Sequence, residues 1–315
     1  MNVSRRGFIA GSALTAGLVG LAGCSSNGAA GTSTADPLAA PAADKYPIDP
    51  DKEGTEAKWS SEEVRDGWTR VTNQDGGATI GVADTAKIIQ VDGYAFRDMD
   101  GDGKLSLFED WRQSADDRAA DLASQLTGEE CIQLMWHGGV QGVADKPGSK
   151  VDANDTSLLD KGSCAGVSRL GGDGDSYATV IKWINDIQTK CEARPHGIPY
   201  ICSVDPYATL GIPSTVGLAP AMDKDLWRKA GMWIGRAWSS IGVRCELGPQ
   251  IDLYTDPTVA RLNGAETEDP ALARDFTRAF AGGMQSTWGD DEATDDQGWG
   301  KDSVNIQVKH IMSEG

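Results

Sequence analysis

In the second half of the chain, short apolar runs alternate with longer amphipathic stretches. The runs at 198–204, 243–247 and 303–308 are rich in Val, Ile and Cys and too short for helices, so they predict buried strands. Before the first of them, 177–192 repeats apolar residues at helical spacing, with Val180, Ile181, Ile184 and Ile187 on one face. Helices are likewise predicted at 223–240 and 270–285, and Trp227, Trp233 and Trp238 fall at core-facing spacing in the first of these. Strands alternating with helices of this length build parallel βαβ units. The predicted fold class is therefore α/β, a TIM-type (β/α)8 barrel that is incomplete in this chain. In such a barrel the chemistry comes from side chains at the C-terminal ends of different strands. Asp205 closes the first run, Lys309 and His310 close the last, and Arg261 lies in the loop beyond 243–247 and 249–253.

Upstream the pattern weakens. Residues 58–95 are polar and Gly-rich, with one strand-like run at 87–91. A helix is predicted from about 107 to 126, and Thr127 with Glu130 forms a capping box opening a further helix to 136. Residues 138–175 read as loop with a short strand at 162–169, and 289–301 as an acidic surface loop.

The N-terminus reads as an address. Arg5 and Arg6, followed by Phe8, precede a run of small apolar residues too short to span a bilayer. That run ends in Leu21-Ala22-Gly23-Cys24, the residue order of a lipoprotein cleavage box. Residues 1–24 are thus predicted to be a twin-arginine lipoprotein signal peptide with Cys24 as the lipidated residue. The expected location is an exported bacterial lipoprotein, held to the membrane by its lipid. Residues 25–57 have linker composition. A leading segment at 58–126 and a partial barrel at 127–315 complete the organisation.

Within the leading segment, Asp98, Asp100, Asp102, Lys104, Ser106 and Glu109 occupy the ligand positions of a twelve-residue calcium loop, with Gly103 at its sharp turn. Carboxylates serve at the first three positions, the Lys104 carbonyl at the seventh, and Glu109 closes the site. The residues just before the loop are strand-like, so the expected Ca2+ is structural, clipping the leading segment onto the helix that begins near Phe108. No organic cofactor is expected.

The net charge of −18 argues against a nucleic-acid partner. Apart from Cys24, the cysteines are Cys131, Cys164, Cys191, Cys202 and Cys245, an odd set without a CxxC pair, which predicts free buried thiols. With only His137, His196 and His310 present, a His-rich metal centre is excluded.

The motifs taken together resemble family 3 glycoside hydrolases of the β-glucosidase type, from about residue 88 onward. Residues 98–112 are similar to that family's "GD/NGK-L-x-x-x-EDWR" run, and 121–130 to its "DL-x-x-x-L-T-x-EEK" helix. Residues 197–205 resemble its "GIP…D" strand, 256–270 its "DPRWGR-x-x-E-x-x-x-EDP" loop, and Lys309-His310 its "KH" strand end. The resemblance implies that Asp205, Arg261, Lys309 and His310 grip the hydroxyls of a sugar in the −1 subsite. Charge-assisted hydrogen bonds suit that task. The implied substrate is a β-linked oligosaccharide or glycoside, cleaved by double displacement with retention.

Retention needs two carboxyl groups about 5–5.5 Å apart. In the family both come from positions later than the "KH" motif. The chain is therefore expected to be the front part of a longer enzyme, with no catalytic residue assigned in it. Asp252 and Glu246 are read as structural groups on a strand. As it stands the chain is expected not to hydrolyse an aryl glucoside, and an open sheet edge is expected to favour aggregation. Two rival readings are a carbohydrate-binding lipoprotein without catalysis and a calcium-stabilised surface lipoprotein that binds a protein.

Overall fold

The computed structural model describes residues 38–138, 159–167, 177–205, 213, 215–253, 255–256, 258, 266–286, 298–300 and 302–310. The expectations for Cys24, for Arg261, for the loop at 289–297 and for residues 25–37 of the linker lie outside the described residues. Residues 38–57, by contrast, are not a free tether: Ile48 bridges Leu105, and the Tyr46 hydroxyl donates to Asp110 at 2.6 Å.

The leading segment is a β module, more structured than its sequence pattern predicts. β1 (Trp59–Arg65), β2 (Trp68–Asn73) and β3 (Thr79–Val82) form an antiparallel meander. β4 (Ile88–Val91) and β5 (Tyr94–Arg97) form a separate hairpin. Both two-residue hairpin turns are Asp-Gly pairs, Asp66-Gly67 and Asp92-Gly93, with positive φ at all four residues. This is the mirror-image turn whose twist matches paired strands. The helix expected from 107 is interrupted. Leu107–Glu109 make one tight 3-10 turn, and α1 begins only at Ala115, capped by Ser114, and runs to Gln125. Between them, Asp110 is fully buried and takes the Arg112 guanidinium at 2.7 Å, an ion pair incompatible with a continuous exposed helix.

α2 (Gly128–Leu134) opens on the expected Thr127/Glu130 capping box. The chain then alternates strand and helix: β6 (His137–Gly138), β7 (Ala165–Val167), α3 (Tyr177–Glu192), β8 (Ile201–Val204), α4 (Lys224–Ser240), β9 (Val243–Glu246), α5 (Pro270–Gln285) and β10 (Asn305–Ile306). β6 was not visible as a strand in the sequence. The five strands are parallel and ordered β6-β7-β8-β9-β10. A doubly wound sheet reverses its strand order at a switch point. Here each strand lies beside its sequence neighbour throughout, as in a barrel wound one way. Among the described residues the sheet is an open arc edged by β6 and β10.

One face of that arc packs on the helices. Cys202, Val204 and Val243 meet Trp183, Ile187, Trp227, Phe276 and Phe280 in a single buried cluster, with Trp227 stacked on Phe276 at 4.7 Å. Burying each of these large side chains stabilises the fold by about 1.5–3 kcal/mol. Trp227 and Trp238 are core residues as expected, but Trp233 is exposed, its side of α4 turned away from α5 and the sheet. Two glycines let α4 and α5 touch. A Cβ on Gly283 would stand 2.0 Å from the Arg228 carbonyl oxygen, and one on Gly231 2.2 Å from that of Phe280. Asp223 and Asp269 cap these helices by accepting N–H groups of Asp225 and Leu226, and of Ala271 and Leu272. Glu192, buried at the end of α3, accepts the backbone N–H groups of Ala83 and Asp84 and so joins the β module to the parallel sheet.

Candidate functional site

The polar residues at the strand ends converge. Asp205 follows β8 directly, and Lys309 and His310 lie just beyond β10. Lys309 donates from Nζ to Asp205 Oδ1 at 2.5 Å, across two parallel strands. Its main chain is fixed by the segment after β9: Lys309 N–H donates to the Pro249 carbonyl at 3.2 Å, and Ile251 N–H to the Lys309 carbonyl at 2.6 Å. Gln250 stands opposite Lys309 in an isolated parallel bridge. His310 Nδ1 lies 2.9 Å from Asp252 Oδ2. Asp252 therefore does not sit on a strand, as expected from sequence. It lies past the end of β9, inside the cluster, and its part there was missed.

The cluster is graded in exposure. The Asp205 side chain is 41 % exposed, Lys309 20 %, His310 32 % and Asp252 13 %. Beneath it, Glu246 ends β9 fully buried and accepts the Trp238 indole N–H at 2.7 Å. Burial pushes the Glu246 carboxyl up to about 7, against the opposing pull of that hydrogen bond and of the Lys309 charge. Gln250 is buried, and neither its amide nitrogen nor its amide oxygen has a partner. Such a group costs about 1–3 kcal/mol unless water or a ligand satisfies it.

On the sheet face opposite the helices, His137 Nε2 lies 2.6 Å from Ser203 Oγ, and Ser203 donates to the Gly166 carbonyl at 2.7 Å. The serine proton is thus already committed, so the imidazole must donate from Nε2. This is a structural contact rather than an activated nucleophile. Burial holds His137 below the ordinary histidine range. No spacing in the sequence announces this pair.

In the calcium-type loop, one carboxylate oxygen from each of Asp98, Asp100 and Asp102 lies within 4.8 Å of the others. This all-oxygen set suits a hard divalent cation. Glu109 is buried and turned inward: Oε1 accepts Met99 N–H at 2.5 Å, and Oε2 accepts Ser106 N–H at 2.9 Å. Burial pushes its carboxyl up to about 7, with those N–H groups opposing. Lys104 pairs through Nζ with Asp49, and Ser106 donates to Asp100 at 3.4 Å. The three aspartates fit the ion, while Glu109 caps the 3-10 turn.

A cavity of about 400 Å³ lies elsewhere, among segments that lead into β7 and β8, lined by Glu130, Lys161, Cys164, Arg194 and His196 among others. It belongs to the face where a barrel keeps stability rather than chemistry.

Residues 126–315 match the family model described as the glycosyl hydrolase family 3 N terminal domain. A periplasmic beta-glucosidase/beta-xylosidase of Dickeya chrysanthemi is 33 % identical over 253 residues, covering 73 % of this chain and 36 % of that protein. Beta-glucosidase C of Emericella nidulans is 26 % identical over 226 residues, 67 % of this chain and 35 % of that protein. The solved β-glucosidase of Listeria innocua in complex with glucose aligns at 20 % identity and TM-score 0.46, over 63 % of this chain and 27 % of that one. The chain spans about a third of the length of the curated relatives it matches.

Proposed function

Because the chain belongs to glycosyl hydrolase family 3, we propose that it is the sugar-binding barrel portion of a hydrolase of β-linked O-glycosidic bonds, of the β-glucosidase type. The observation that carries this reading is the contact between Lys309 and Asp205, brought together from 104 positions apart at the ends of two parallel strands. A carboxylate and an ammonium held side by side offer an acceptor and donors to adjacent hydroxyls of a pyranose. Arg261 is assigned to the same subsite by its place in the family motif, and His310 completes it. Asp205 is paired with Lys309, so it is read as a binding group. The retaining double displacement requires two further carboxyl groups on either side of the scissile bond.

We assign the leading loop to Ca2+, held by Asp98, Asp100 and Asp102 with the Lys104 carbonyl and Ser106, while Glu109, the expected closing ligand, caps the 3-10 turn beside them. The ion would neutralise the aspartates and fix the β module. No step of glycoside cleavage passes through it. The paired arginines and Cys24 point to twin-arginine export and lipid anchoring, and the periplasmic description of the Dickeya relative supports the export part of that reading.

Calorimetric titration of glucose, xylose and galactose into the full chain tests the sugar assignment. Saturable binding of one of them, weakened about tenfold or more by D205A, is expected from loss of a charge-assisted contact. Binding indifferent to D205A would remove the assignment.

A further inference from the structure

The sugar-site reading gives Asp205, Lys309 and His310 direct contacts and leaves Asp252 without a role. Asp252 comes from a stretch 58 positions away from His310, yet its Oδ2 stands 2.9 Å from Nδ1 of that ring. A neutral imidazole carries its proton on only one nitrogen, and an ionised carboxylate accepts but cannot donate. The contact is therefore a hydrogen bond only when Nδ1 holds the proton, which places the ring's lone pair on Nε2. The main chain fixes both partners. Ile251, just before Asp252, donates its N–H to the carbonyl of Lys309, just before His310. The other histidine with an assigned contact has the opposite form, because Ser203 obliges His137 to donate from Nε2.

We propose that Asp252 is a positioning residue that holds His310 as the Nδ1–H tautomer and fixes its ring, so that Nε2 accepts a hydrogen bond from a sugar hydroxyl. The hydroxyl rests on the sugar-site reading; the tautomer does not. With three histidines in the sequence, the test is direct. The full chain is labelled with 15N-histidine, and long-range proton–nitrogen correlations are recorded where the imidazoles are neutral, with H310Q assigning the His310 signals.

The expected wild-type pattern has a protonated Nδ1 in His310 and a protonated Nε2 in His137. D252L is expected to lose the His310 pattern and to bind glucose about tenfold more weakly, whereas D252N, whose amide oxygen still accepts, keeps both nearly intact. A wild-type His310 protonated at Nε2, or an unchanged pattern in D252L, would overturn the proposal. The His137 and His196 signals report whether D252L is folded. If it is not, the wild-type pattern and D252N decide. Should the tautomer fail while glucose still binds, only the role of Asp252 falls. If the tautomer holds but glucose leaves the His310 signals unmoved, the hydroxyl assignment falls, and the sugar reading with it.

Discussion

The β module and the parallel sheet each carry an acidic cluster, and they build it in opposite ways. In the calcium-type loop every participant lies within twelve residues, so the chain writes the site locally. At the strand ends the partners lie 104 and 58 positions apart, and only the winding of the sheet brings them together. A local cluster can survive loosening of the rest of the fold. A long-range one depends on the packing of every intervening helix.

The sharpest way to break that contrast is to disturb the packing of α4 on α5. Gly283→Ala puts a Cβ 2.0 Å from the Arg228 carbonyl oxygen. It is expected to destabilise the parallel half by about 3 kcal/mol or more, with loss of sugar binding and retention of hydrogen-exchange protection in β1–β5. Equal loss in both halves would contradict it.

A second effect is pH, which acts on the β module through Glu109, also raised to about 7, and on the parallel half through two carboxyls that substitution can isolate. Burial pushes Glu246 up to about 7 and Glu266 to about 8, from the ordinary 4.5. Their contribution to stability is complete below pH 4.5 and is lost as pH rises through about 7 and about 8. The loss attributable to Glu246 is up to about 3 kcal/mol. Urea midpoints measured between pH 4.5 and 9 should fall for the wild type and fall less for E246Q.

Calcium acts on the other half. An ion present at about a hundred times its dissociation constant stabilises what it binds by about 2.7 kcal/mol. Chelation should therefore raise hydrogen exchange in 98–109 and β4–β5, and D100A should abolish the difference. Exchange that rises only at the strand ends would contradict the assignment. The smallest expected effect is that of Lys309→Ala, which leaves the fold intact and lowers glucose affinity about tenfold, equivalent to about 1.4 kcal/mol.

The same local-versus-distant division explains what the sequence disclosed. Helices α3, α4 and α5 were legible because their apolar faces are written within a few turns. β1 was not, because only Trp59 in it is even half-buried and the strand shows no alternation. The Asp66-Gly67 and Asp92-Gly93 pairs were the available signal for the hairpins. β6 is two residues long, too short to leave a pattern. The helix forecast from 107 failed on the buried Asp110–Arg112 pair, whose charge reads as surface in a linear sequence. Asp205, Lys309 and His310 were legible as strand-end residues, whereas Asp252 was hidden by an apolar run that resembles a strand but pairs only at Gln250.

The most direct test is a crystal structure of the full chain soaked with glucose. Sugar density within hydrogen-bond distance of Asp205, Lys309 and His310, at the C-terminal ends of β8 and β10, is the predicted result. Density confined to the cavity beside Arg194 and His196, or none at a concentration that saturates the calorimetric titration, would contradict the account.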